Sequence, residues 1–191
     1  MKDLKKAAHF AQQHSAAKTL IFDDSDKAKM MFKLAFLTTI GRIYLFGFNN
    51  SSKSLSQIQT LNIAEKYNRN IVCGEGPKYW IDYPSLQISA GKLSKPEYAK
   101  VTIGNDKELL IQWGDPLEII PPLRYTVYIM QYDHTSKTNH IWECTSKKGN
   151  DNEILPVLPE MAGHQIHNWM FFVSEDGKTK SDSVYLGICK M

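Results

Sequence analysis

The chain has 191 residues, with 23 Lys+Arg against 20 Asp+Glu, three cysteines, 42% apolar residues and 11% aromatics. A chain of that size and apolar content can bury a sizeable core, which excludes wholesale disorder. Eleven glycines and three cysteines exclude a collagen-like repeat and a disulfide scaffold.

Charge is unevenly spread. Residues 1–95 carry 14 Lys+Arg and 7 Asp+Glu, a net +7, whereas residues 96–191 carry 9 and 13, a net −4. Two ordinary solvated surfaces account for this; the sharper reading is electrostatic docking of the halves on each other, or head to tail between copies. The basic residues are dispersed with no Arg-rich stripe, which disfavours a nucleic-acid partner.

Met1 to Gln13 opens with basic residues but has no apolar run behind them, unlike a secretory signal. The greasiest stretch, Met30 to Phe48, is interrupted by Lys33 and Arg42, whereas a spanning helix needs about 20 apolar residues. Cys73, Cys144 and Cys189 show no CxxC spacing. The expectation is a cytoplasmic chain with reduced thiols and no membrane partner.

In chain order, Leu4, Ala7, Ala8 and Ala11 share one side of a helix over residues 4–19. Between Asp26 and Tyr44, Met30, Leu34, Leu37 and Gly41 recur at helical spacing, with Met31, Ala35 and Thr38 beside them; Asp23, Asp24 and Ser25 supply the N-cap. Another helix runs from Leu55 through Ile58, Leu61 and Ala64 towards Tyr67, capped by Ser52 or Ser54. Cys73 to Pro77 reads as a turn, followed by strands at Tyr79–Tyr83 and Leu86–Ile88.

From Lys95 onward the period is two, with turns at roughly 8–12-residue intervals. The expected strands are Glu97–Ile103, Glu108–Trp113, Arg124–Tyr132, Asn139–Thr145, Glu153–Val157, Gln165–Val173 and Ser183–Ile188. This predicts an α+β chain: a helical region over 1–76, a strand-bearing connector over 77–94 and a seven-stranded sandwich over 95–191.

The stretch Leu109-Leu110-Ile111-Gln112-Trp113-Gly114-Asp115-Pro116, with Arg124-Tyr125-Thr126-Val127 and Phe171 to Gly177 followed by Ser181-Asp182-Ser183, resembles a fibronectin type III or immunoglobulin-like sandwich. The place of that fold's corner tyrosine falls near His167. Over residues 26–190 the chain also resembles an uncharacterised family of roughly 200-residue Bacteroidetes proteins, a domain of unknown function. That match is carried by Lys29 to Phe48, Ile81-Asp82-Tyr83, Leu86 to Leu93, the Trp113 strand, Ser174 to Lys178 and Ser183 to Gly187. The family implies an architecture and no activity. Its members open with a Gly-rich basic segment, whereas Lys2 to Lys18 here is rich in Ala, Gln and His.

No constellation demands catalysis. His164 and His167, near Glu160, stand three apart, so on a strand they face opposite ways and cannot share an ion. His134 and His140 flank a polar loop without a carboxylate partner. Asp23, Asp24 and Asp26 are explained by capping, and Gly74-x-Gly76-Pro77 lacks the Lys and Ser/Thr of a phosphate loop. No GxSxG elbow is present. No metal, cofactor or small-molecule substrate is expected.

The apolar signal is sharper. In Gln165–Val173 one face presents His167, Trp169, Phe171 and Val173 and suits the sandwich core; the other still carries Ile166, Met170 and Phe172. In the neighbouring strand Tyr125, Val127 and Ile129 fill the core while Tyr128, Met130 and Tyr132 point out. Tyr128, Met130, Met170 and Phe172 are therefore expected to form one outward patch, the candidate binding residues, covered by the chain's own helices, a second copy or another protein. The functional expectation is a non-catalytic binding, scaffold or assembly module; the alternative is a small hydrolase or metal enzyme with its site between the halves.

Overall fold

The computed structural model describes residues 24–49, 55–104, 108–114, 125–145 and 152–191. The helix expected over residues 4–19 and several inter-strand turns lie outside them.

Asp24–Thr39 forms α1, with Asp24 and Asp26 in its first turn where negative charge suits the helix dipole. Near its end Thr38 and Thr39 turn their hydroxyls onto the carbonyls of Ala35 and Phe36, and the chain bends by 87° into α2, Gly41–Phe48. The single helix expected from Asp26 to Tyr44 is thus two. Among the described residues no single helix is long and apolar enough to cross a membrane; α1 and α2 pass that test only together, across their bend. Gln57–Tyr67 forms α3. Its cap is Ser56, not Ser52 or Ser54: its hydroxyl accepts from the Gln59 N–H while the Gln59 side chain receives the Ser56 N–H, a full capping box.

Val72–Glu75 (β1) and Lys78–Ile81 (β2) form an antiparallel ribbon, so the segment expected as a turn at Cys73 is half strand. The strand expected at Leu86–Ile88 does not form: the chain bends at Ile88, joins no ladder and is tied instead to the Ser181–Ser183 segment, Ile88 N donating to Ser183 Oγ and Ser89 Oγ to the Ser181 carbonyl. Against it lies α2, so closely that a β-carbon on Gly47 would sit 1.9 Å from the Ile88 carbonyl oxygen.

The remaining strands are Glu97–Ile103 (β3), Glu108–Gly114 (β4), Tyr125–Asp133 (β5), Thr138–Thr145 (β6), Asn152–Pro156 (β7), Gln165–Ser174 (β8) and Val184–Lys190 (β9). Their sheets run β3-β4-β7 and β6-β5-β8-β9, all antiparallel. The described residues therefore make an α+β chain of three helices, then nine strands in three sheets. The seven expected strands are those of the sandwich alone; of the other two, β2 lies where a connector strand is expected and β1 where a turn is.

Two apolar cores share the four-stranded sheet as a wall. Between the sheets pack Leu109, Ile111, Trp113, Val127, Ile129, Leu155, Met170 and Phe172. On the sheet's other side Met130, Tyr132, Trp169, Phe171 and Val173 pack with Phe36, Ile40, Ile43, Tyr44 and Phe48 of the helices and Leu86 and Ile88 of the connector.

Candidate functional site

The four expected patch residues do not share a face. In the β5–β8 ladder Tyr128 stands opposite Phe171, Met130 opposite Trp169, Ile129 opposite Met170 and Val127 opposite Phe172. Residues opposite each other in a ladder point to the same side. Tyr128 and Met130 face the helices, as expected of the outward side, but their companions are Trp169 and Phe171. Met170 and Phe172 turn into the sandwich, reversing the assignment for β8. A one-residue difference in pairing exchanges the faces of a strand, and β8 offered no polar alternation to fix it. Met130 and Met170 are 0% exposed and Phe172 2%, so none of the three meets solvent.

The chain's own helices cover the face. Phe46 packs on Tyr128 with ring centroids 4.9 Å apart and on Phe171 at 6.2 Å. Phe36 meets Tyr132 edge-on at 5.3 Å, and Trp169 Nε1 donates to the Leu86 carbonyl at 3.1 Å. Burial and the neighbouring Glu143 push the Tyr128 hydroxyl up to about 12.

Polar contacts reinforce this seam. Lys180 is buried, donates to the Asn49 carbonyl at 2.5 Å and lies 4.9 Å over the Phe46 ring; burial lowers its pKa. Asn68, fully buried, donates to the Ala64 and Gln87 carbonyls and accepts from Gln87 N, binding the end of α3 to the connector.

At the β5–β6 hairpin end of the seam a tyrosine–histidine cluster closes it. Tyr83, in a 3-10 turn over Tyr83–Ser85, lies on His167 with ring centroids 3.8 Å apart, and its hydroxyl meets His134 Nδ1 at 2.9 Å. His167 Nδ1 meets the Tyr185 hydroxyl at 2.8 Å. Burial, with His134 and Lys137 nearby, holds the His167 imidazole down to about 4; burial also lowers His134 and raises Tyr83. Sequence reasoning missed this cluster because its members, Tyr83, His134, His167 and Tyr185, come from four separate stretches of chain and carry no local motif.

The other expected groups separate. His164 lies just ahead of β8 and bonds Asp133 Oδ2 at 2.6 Å. The Asp133 carboxylate also accepts the Thr135 and Ser136 N–H groups. Against the upward pull of burial, the bonds from His164, Ser136 and Thr135 hold Asp133 below the ordinary range. His140 pairs with Gln131 across the hairpin, away from His134. Among the described residues no group of three or more His, Cys, Asp and Glu is placed to hold a metal. Gly74 sits within β1 at φ +91°, and a β-carbon there would strike the Lys78 carbonyl, so its role is the tight ribbon.

Among the large apolar side chains that the described surface exposes, three share the outer side of α1, where Met31 is 63%, Met30 42% and Leu34 41% accessible, with Lys27 and Lys29 also exposed.

The model of a family of unknown function, DUF6266, matches residues 19–187. The chain belongs to that family. Among solved structures the chain is similar to the fn3 domain of the human collagen alpha-1(XX) chain, at 16% identity and a TM-score of 0.38, over 54% of this chain and 90% of that one. No curated protein matches. For this DUF6266 member, a two-sheet antiparallel sandwich with helices on its four-stranded sheet is the architecture in which function must be sought.

Proposed function

We propose that the chain is a non-catalytic assembly module whose copies join head to tail, the outer face of α1 on one docking against the sandwich of the next. The observation that carries this reading is the stripe Met30, Met31 and Leu34, three large apolar side chains held in water on one helix. Each is worth about 1.5–3 kcal/mol when fully buried, and such a patch characterises interaction surfaces. The occupant is a second copy because the chain supplies the complement itself: residues 1–95 carry net +7 and residues 96–191 net −4. A contact between unlike patches does not close on itself by two-fold symmetry, so it builds rings or filaments.

The alternative of a hydrolase draws on one feature, the Asp133–His164 pair. Its carboxylate is engaged by two backbone N–H groups of the β5–β6 turn, which is a turn-stabilising arrangement.

Size-exclusion chromatography with light scattering tests the assembly. Wild type is expected to gain mass with concentration and lose it with added salt, since exposed charge pairs are screened. Met31→Glu is expected to remain monomeric with an unchanged melting temperature. A wild type that stays monomeric at every concentration and low salt contradicts the reading.

A further inference from the structure

We propose that Tyr83 is an acid-released latch: at neutral pH it fastens the connector onto the four-stranded sheet through His167 and His134, and protonation of His167 frees it. The geometry is specific. At Tyr83 the connector, β5, β8 and α1 meet: its ring touches His167, Tyr132, Trp169 and Phe36, and its hydroxyl is bonded to His134. Its hydroxyl bond runs to one imidazole, at His134 Nδ1, while its ring lies on a second, His167, whose own Nδ1 is bonded to the Tyr185 hydroxyl. Protonated His134 keeps its contact with the Tyr83 hydroxyl by donating to it in reversed direction; once both nitrogens of His167 carry protons, however, a charge is left inside an aromatic box with 8% exposure.

The surroundings oppose that charge. Facing His167 are Tyr83 from the connector, Tyr132 opposite it on β5, Tyr185 from β9, and His134 and Lys137 from the β5–β6 turn. Two of these five are basic. Asp133 is the near carboxylate on β5, and its oxygens are taken by His164, Thr135 and Ser136, leaving His167 without a counter-ion bond. The least costly response is for Tyr83 to leave, admitting water to His167 while both hydrophobic cores stay closed. Adjoining residues set a limit to the opening: Leu86 and Ile88 remain buried and tied to Trp169 and Ser183, so the free segment is the turn around Tyr83–Ser85.

Hydrogen exchange read by mass spectrometry on the full chain tests this. With His167 held near 4 when closed and near an ordinary 6.5 when open, the opening equilibrium of residues 82–86 grows about 20-fold between pH 7 and pH 5 after correction for intrinsic exchange, while β5 and β8 keep their protection. Tyr83→Ala should show the open level at both pH values. His167→Asn, which keeps a polar atom near the position of Nδ1 but does not titrate, should lose the pH response. Should that variant fail to fold, the titration of His167 in wild type by NMR is the second measurement, and its midpoint should coincide with the loss of protection. The latch is overturned if residues 82–86 stay equally protected at pH 5, if His167→Asn retains the wild-type response, or if His167 titrates near 6.5 with the turn still closed.

Discussion

The two faces of the β6-β5-β8-β9 sheet are closed by different chemistry. The sandwich side is sealed almost entirely by apolar side chains, Val127, Ile129, Met170 and Phe172 against Leu109, Ile111 and Leu155. Its polar groups are Gln131 with Asn168 and Trp142, satisfied internally, and the buried Trp113 Nε1, which meets no hydrogen-bond partner among the described residues. The helix side is also greasy, but it is stitched to the rest of the chain by polar and ionisable groups: Lys180 on the Asn49 carbonyl, Asn68 on Gln87, and the tyrosine–histidine cluster. Burial by close packing is indifferent to pH, whereas a seam of imidazoles and an amine is not. The helix side is therefore where conditions in solution can alter this molecule.

Substitutions on the two faces separate these contributions. Met170→Glu has the largest expected effect. It places a carboxylate between the sheets with no described basic partner in that core, a penalty of several kcal/mol set against a typical total stability of about 5–15 kcal/mol. The expected outcome is loss of cooperative unfolding by circular dichroism, and a folded, stable Met170→Glu would break the comparison. Trp169→Ala on the opposite face should cost about 3–5 kcal/mol in denaturant melts, and should speed hydrogen exchange in α2 and the connector more than in β4.

Acid sharpens the contrast further. His167 is neutral when folded down to about 4 but titrates near 6.5 in the unfolded chain. The unfolded state therefore binds more protons through that window. Stability is full above about 6.5 and falls as pH drops towards 4, by on the order of 3 kcal/mol from this group. Asp133, whose folded pKa is lowered, adds a loss in the same direction at lower pH. Denaturant midpoints measured across this range check both. The smallest effect is expected for Ser56→Ala, which removes the capping box of α3 for about 1 kcal/mol and should leave the acid response untouched.

Much of the fold was legible in the sequence, because β3, β4, β6 and β7 alternate apolar and polar residues and are bounded by turn residues. Strand ends from β3 to β9 fall within one or two residues of the expectation. The site was less legible. In β8 the run Ile166 to Val173 is buried throughout, so alternation carries no information about which side faces the sandwich; only pairing with β5 decides. One clue lay in the polar residues, since Gln131 and Asn168 are the natural partners across the ladder, and setting them opposite each other places Met130 opposite Trp169. The break between α1 and α2 was hidden because Thr38, Thr39 and Gly41 all fit the helical period. The cluster around Tyr83 had no local signature, being assembled by tertiary contact alone.

Tyr128 and Met130 share a face with Trp169 and Phe171, under the helices. Nuclear Overhauser contacts between labelled aromatic rings test it directly. The account predicts cross-peaks from Phe46 to Tyr128 and Phe171, and from Phe172 to Tyr125, whose rings lie 4.2 Å apart. Cross-peaks from Phe46 to Phe172 in their place would mean that β8 presents its other side to the helices, and would contradict it.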